Sequence, residues 1–271
     1  MSVVRERHDR DEARKPEALT GFRDRGVTVR LKLTIQYDGT DLSGWQSQPG
    51  ESTVQGWLED ALETFGCGRI AVHGAGRTDA GVHALGQVAH VDIDKELEPE
   101  TWLRAINVKL PADIRVVRIE PVPETFQARR SAKGKVYCYR AFTGVVLGPF
   151  VRRYVAHAPY AHDLDRMNEA AGMLIGRHDF EAFTVTDRDT LTTTRDLRRL
   201  DISVCGDELR IEAEANGFLR SMVRTIAGTL LSVGDGRMPV EQVREALETR
   251  RRDKAGPTAP ARGLTLVRVD Y

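Results

Sequence analysis

Residues 73–84 read HGAGRTDAGVHA, placing one carboxylate, Asp79, two positions after Arg77 among three glycines, Gly74, Gly76 and Gly81. A segment so rich in glycine turns sharply or lets its backbone approach another group closely. A phosphate cradle is the first chemistry to consider, and the spacing argues against it. A P-loop needs a glycine five residues before Gly76, where Ala71 stands, and a lysine after it, where Arg77 stands. A dinucleotide loop fails too, because its third glycine would fall on Asp79. What is left is an acid on a tight turn. Such an acid can simply cap local amides as an Asx turn. Beside a guanidinium, which favours the ionised carboxylate, it can instead serve as nucleophile or base.

The other chemistry-bearing residues point to plainer roles. His73, His83 and His90 surround the loop, but no Cys or His motif of zinc spacing accompanies them. His83, four residues after Asp79, is expected to support the loop rather than to shuttle protons, and Asp38, Asp41 and Asp179 read first as turn acids. Cys67, Cys138 and Cys205 are odd in number and widely spaced, as reduced thiols would be. No metal, nucleotide or redox cofactor is expected.

Charge distribution says more than net charge, which is zero from 40 basic and 40 acidic residues. Thr125 to His162 contains no Asp or Glu, yet holds Arg129, Arg130, Lys133, Lys135, Arg140, Arg152 and Arg153, interleaved with seven aromatics including Tyr137 and Tyr139. Cations alternating with stackable rings suit a polyanion carrying bases. A solvated basic face backed by core aromatics is the competing reading. Arg129, Arg130 and Lys133 are the candidate RNA contacts.

These residues need elements to position them. A strand is expected over 27–39, then a helix in which Val54, Trp57, Leu58, Ala61, Leu62 and Phe65 recur at helical spacing, with Ser52 and Gln55 as its capping box. Strands at RIAVHG and GQVAHVDID flank the glycine loop, and a helix over 99–109 leads to the strand DIRVVRIEPV. Strand-helix-strand-strand-helix-strand is the ferredoxin-like order. The second half repeats it loosely: the strand KVYCYRAFT, a helix at DLDRMNEAAGMLIG, a hairpin turning at Gly206-Asp207, a long helix over 217–234, the short helix PVEQVREALE and a last strand GLTLVRVDY. In the long helix Arg220 and Arg224 fall outside the apolar stripe, and Arg220 opposes the macrodipole at the helix start, as a nearby anion would explain. The fold class is thus α+β, with a cleft between two halves over residues 29–140 and 141–271. Residues 1–28 lack a signal-peptide core and read as a mobile extension. With no apolar run long enough for a membrane span, a cytoplasmic protein is expected.

The loop GRTDAGVHA resembles the catalytic loop of the tRNA pseudouridine synthase A family. YDGTDLSGWQSQ, TVQGWLEDAL, INVKLPADIRV, FQARRSAKGKVYCYR, GRHDFEAF, FLRSMVRTIAGTLLSVG and APARGLTLVRVDY resemble its other segments in order, over about residues 31–271. The resemblance implies two ferredoxin-like halves forming a largely antiparallel sheet flanked by helices. It implies an enzyme that breaks the uridine N-glycosidic bond, turns the base and rejoins it through carbon 5, with Asp79 as the catalytic acid, Tyr137 against the target base and Arg224 paired with Asp79. Arg77 or the aromatics would stabilise the displaced base. Family members work as homodimers on the anticodon arm of tRNA, at positions 38–40. Two other classes compete. An RNA-binding module without chemistry would have no use for Asp79, Tyr137 and Arg224 together. A glycoside-type hydrolase usually needs a second carboxylate, and the loop offers one.

Overall fold

The computed structural model describes residues 28–66, 68–95, 97–185 and 191–271. Apart from Thr28, the extension expected over residues 1–28 lies outside the described residues, as does Cys67.

In the first half, β1 (Val29–Tyr37) turns Leu31, Leu33, Ile35 and Tyr37 inward, as alternation predicts. α1 (Val54–Glu63) buries Val54, Leu58, Ala61 and Leu62. Its cap is Thr53 rather than Ser52: Thr53 accepts the Gly56 amide at 3.2 Å, while the Ser52 hydroxyl is taken by the Trp57 indole N–H at 3.0 Å. β2 (His73–Gly74) is far shorter than RIAVHG suggested. The Val72 amide donates to Glu59 Oε1 on α1 at 3.1 Å instead of to a neighbouring strand. β3 (His83–Ile93), α2 (Pro99–Lys109) and β4 (Ile114–Pro121) complete this half.

The second half runs β5 (Gly134–Phe142), β6 (Ala156–His157), α3 (Leu164–Leu174), β7 (Gly176–Asp179), β8 (Thr194–Cys205), β9 (Glu208–Ala215), α4 (Met222–Gly234), α5 (Glu241–Thr249) and β10 (Leu264–Asp270). The β8–β9 hairpin turns at Gly206, whose φ of +59° is left-handed. The helix expected over 217–234 starts only at Met222, because Ser221 sits at φ 57°, ψ 6° and breaks it. α4 then lies deep in the fold, with every residue buried except Arg224.

The sheet order is β4-β1-β3-β10-β5-β9-β8-β7, with β2 on β3 and β6 on β5. Each half arranges its strands in the same way, fourth, first, third, second: β4-β1-β3-β2 and β10-β5-β9-β8. That is the ferredoxin-like pattern twice over. β5 crosses the boundary expected at residue 140 and holds the opening-strand place of the second half. Pairings are antiparallel except β5 with β6 and the seam between halves, where β10 meets β3 in parallel at Thr265–His83 and Leu266–Ala84. Farther along β3, His90 and Ala89 pair with β2 instead. The loop between β2 and β3, carrying Asp79, therefore sits where the halves part. One apolar core underlies both, from Leu33 and Trp102 to Tyr139, Phe180 and Ile226. Among the described residues no helix is long and apolar enough to cross a membrane.

Candidate active site

The loop bearing Asp79 is pinned before its acid is placed. The Thr78 carbonyl accepts the Trp45 amide at 3.1 Å, and the Thr78 hydroxyl meets the buried Tyr37 hydroxyl at 2.8 Å. Gly81, at φ +77°, closes the turn and donates to the Leu42 carbonyl. His83 clamps the end. Its Nδ1 lies 3.0 Å from the Gly39 amide and 3.2 Å from Asp38 Oδ1, while Nε2 lies 3.0 Å from the Arg153 carbonyl. This imidazole joins both halves and is buried, the supporting role expected of it. Asp38 is a turn acid, bonding the Thr40 amide and hydroxyl, with Tyr154 on its other oxygen.

Asp79 comes to the first turn of α4, on the other half. Its Oδ2 accepts Arg224 Nη1 at 2.8 Å and Ser221 Oγ at 2.9 Å. Among the described residues nothing donates to Oδ1, so one carboxylate oxygen is held and the other is free. Arg224 is itself oriented, because its Nε donates to the Ala259 carbonyl at 2.8 Å. The pair is half-buried, with side-chain exposures of 18% and 26%. A charge-assisted bond of this length is worth about 1.5–3 kcal/mol, least where water reaches it. Among the described residues the anion expected beside Arg220 is not found there: Arg220 precedes α4, and Asp79 bonds Arg224 and Ser221 instead.

Ser221 was not foreseen. A serine at the N-cap ordinarily has extended backbone and bonds its own helix's amides. Ser221 does neither: it is left-handed, makes no capping bond and gives its hydroxyl to Asp79. A non-glycine residue in that region stores about 1–3 kcal/mol. The motif SMVR gave no sign of this, since the helical periodicity ran on through Phe218.

Tyr137 lies on β5, 7% exposed, with its ring edge-on to Phe218 at 5.2 Å. Burial, then the neighbouring Tyr37 and Asp79, push its phenol well above the usual tyrosine range, so it stays neutral. A neutral phenol stacks and donates, and is a poor base. Tyr139, two residues on, is fully buried and bonds the Pro260 carbonyl, as a core residue does. Arg77 is exposed, and its Nε donates to Gln46 Oε1 at 3.0 Å. The guanidinium bonded to Asp79 is Arg224's, from across the seam.

The acid-free stretch is partly neutralised by other segments. Arg140 pairs with Glu208 at 2.6 Å and Arg153 with Asp41 at 3.2 Å. Arg129, Arg130 and Lys133 are exposed, and among the described residues none has a carboxylate in salt-bridge range. His73 and His90 stack at 4.9 Å, and burial, then His73, lower the pKa of His90. Among the described residues no group of His, Cys, Asp or Glu could hold a metal ion.

Comparison with known proteins gives the family. The family model described as tRNA pseudouridine synthase matches residues 33–129 and 170–271. A protein of Bacillus pumilus named tRNA pseudouridine synthase A is 42% identical over 90% of this chain and 99% of its own. One of Methylobacterium nodulans with that name is 43% identical over 89% and 96%. One of Streptococcus thermophilus is 43% identical over 90% and 99%. Among solved structures, a chain of a Cbf5-Nop10-Gar1 complex aligns over 87% of this chain and 48% of its own length at 15% identity, with a TM-score of 0.34, too loose to bear on the fold. By the family model and by relatives this similar along nearly their whole length, the chain belongs to the tRNA pseudouridine synthase family.

Proposed function

We propose that this chain isomerises uridine to pseudouridine in the anticodon arm of tRNA, at positions 38–40, with Asp79 as the catalytic residue. The observation that carries this reading is the split carboxylate: Oδ2 held by Arg224 and Ser221, Oδ1 free on a rigid loop. The target uridine leaves its stack, at a cost of about a few kcal/mol, and its base packs against Tyr137. Arg77, at the exposed lip of the loop, steadies the displaced strand. Asp79 attacks the ribose or takes a ribose proton, and the bond from C1′ to N1 breaks. The base turns, C5 bonds to C1′, and the C5 hydrogen leaves as a proton while N1 gains one. Substrate and product are isomers, so no electrons enter or leave and no redox partner is required. Arg129, Arg130 and Lys133 supply RNA contacts. The enzyme works in the cytoplasm as a homodimer, for which light scattering should give twice the chain mass.

The test is to map pseudouridine in tRNA from cells with and without the gene. Loss at positions 38–40, with uridine of unchanged mass in its place, is expected. Intact signals there would overturn the assignment, and release of free uracil by the purified enzyme would make it a hydrolase.

A further inference from the structure

Three cations converge beneath the catalytic loop without an acid to balance them. Lys135, at the start of β5, donates from Nζ to the Ala75 carbonyl at 2.8 Å, four residues before Asp79. A Cβ on the next residue, Gly76, would lie 2.5 Å from Nζ, so the end of this flexible side chain rests directly against the loop. Arg129 follows Ala128, which packs on Ala75 in a small apolar cluster. Arg195, at the start of β8, reaches the same place from the second half: Lys135 pairs across strands with Ala215, and Arg195 Nε lies 3.9 Å from where a Cβ on Gly217 would sit. Among the described residues none of the three has a carboxylate in salt-bridge range. Burial, then the charges of Arg129 and Arg195, lower the pKa of Lys135 to about 8, and burial, then Arg129, lower that of Arg195. Like charges crowded this way destabilise the free protein, and an anion among them would relieve the repulsion.

We propose that Arg129, Lys135 and Arg195 form a site for one RNA backbone phosphate beside the catalytic loop, setting the register of the strand against Asp79. The inference rests on tRNA being the substrate. The donors are available: Lys135 has three N–H groups and one goes to Ala75, while Arg195 commits only Nη1, to the Thr192 and Thr194 carbonyls. Because Lys135 grips the loop backbone itself, a phosphate bound there is tied directly to the segment that carries the acid. The three residues come from the β4–β5 connection, β5 and β8, so the site draws on both halves.

Counterion release tests this without turnover. Binding of unmodified tRNA transcript is measured from 50 to 200 mM salt for wild type, Arg195→Gln, Arg129→Gln, the double variant and Arg195→Lys. One phosphate contact contributes about 0.7–0.9 to the log–log slope, so over this fourfold range wild type should lose about threefold more affinity than either Gln variant. Arg195→Lys should keep the wild-type slope. The double variant should lose one contact's worth, because both residues serve the same phosphate. A wild-type slope in Arg195→Gln overturns the proposal, as does a double variant that loses two contacts' worth. Should Arg195→Gln fail to fold, Arg195→Met, which keeps the packed stem and removes the charge, carries the same comparison. Binding does not depend on Asp79 being the catalyst, so either claim can fail while the other stands.

Discussion

Replacing Ser221 by alanine and by glycine separates two contributions that the serine combines. Alanine removes the hydroxyl on Asp79 but keeps a side chain at φ 57°. Glycine removes the hydroxyl and relieves the left-handed strain, about 1–2 kcal/mol. Losing a bond to a partly exposed carboxylate costs about 1 kcal/mol in stability, and glycine at an N-cap costs only about a few tenths relative to serine. The alanine variant should therefore unfold about 1 kcal/mol more easily than wild type, and the glycine variant should lie within about 0.5 kcal/mol of it. In a domain this large, that difference is about 2–4 °C in Tm. Activity should not follow stability. Both variants leave Asp79 with Arg224 alone, so kcat should fall by a similar factor in each, about fivefold to tenfold. Denaturant unfolding and single-turnover isomerisation at saturating tRNA measure the two quantities. Equal stabilities would refute the strain, and a wild-type kcat in Ser221→Ala would refute the positioning of Asp79.

Arg224→Ala should lower kcat by about 10–100-fold, since it removes a charge-assisted bond to the carboxylate. Arg224→Lys should recover little, having no second nitrogen to hold the Ala259 carbonyl; wild-type turnover in Arg224→Ala would contradict the pairing role. Tyr137→Phe should bind tRNA nearly as well as wild type, whereas Tyr137→Ala should lose about 1–3 kcal/mol of affinity, and equal losses would remove the stacking role. For Lys135 the folded pKa, about 8, lies below the ordinary 10.5, so burying its charge costs stability in full below pH 8. The unfolded chain binds more protons between those values, so that cost is relieved as pH rises from about 8 toward 10.5. Denaturation midpoints should accordingly show wild type gaining on Lys135→Met across that window; parallel pH profiles would place Lys135 in open solvent.

The strand and helix order was legible because both periodicities are clean. Val29–Tyr37 alternates, and Pro99–Lys109 begins at a proline and ends before another. Errors fall where a tertiary contact or a strained backbone overrides local pattern. Glu59 draws the Val72 amide out of a longer β2, and the left-handed Ser221, its hydroxyl on Asp79, delays the start of α4. The candidate acid could be named from its loop, and the Arg224–Asp79 pair followed from family resemblance alone, since 145 positions separate the two residues. Spacing instead suggested Arg77 as the neighbouring cation, but side chains two apart on this turn diverge, and Arg77 reaches Gln46. The cluster of Arg129, Lys135 and Arg195 was half visible as an acid-free stretch; Arg195 joins it only through the β5–β9–β8 register.

The most direct measurement is single-turnover isomerisation by Asp79→Asn, run beside its tRNA affinity. Asparagine keeps the size of the side chain and can still accept the Ser221 and Arg224 hydrogen bonds through its amide oxygen, while it removes the charge, the nucleophile and the base. The account predicts near wild-type binding and no detectable pseudouridine. Turnover within tenfold of wild type would contradict it.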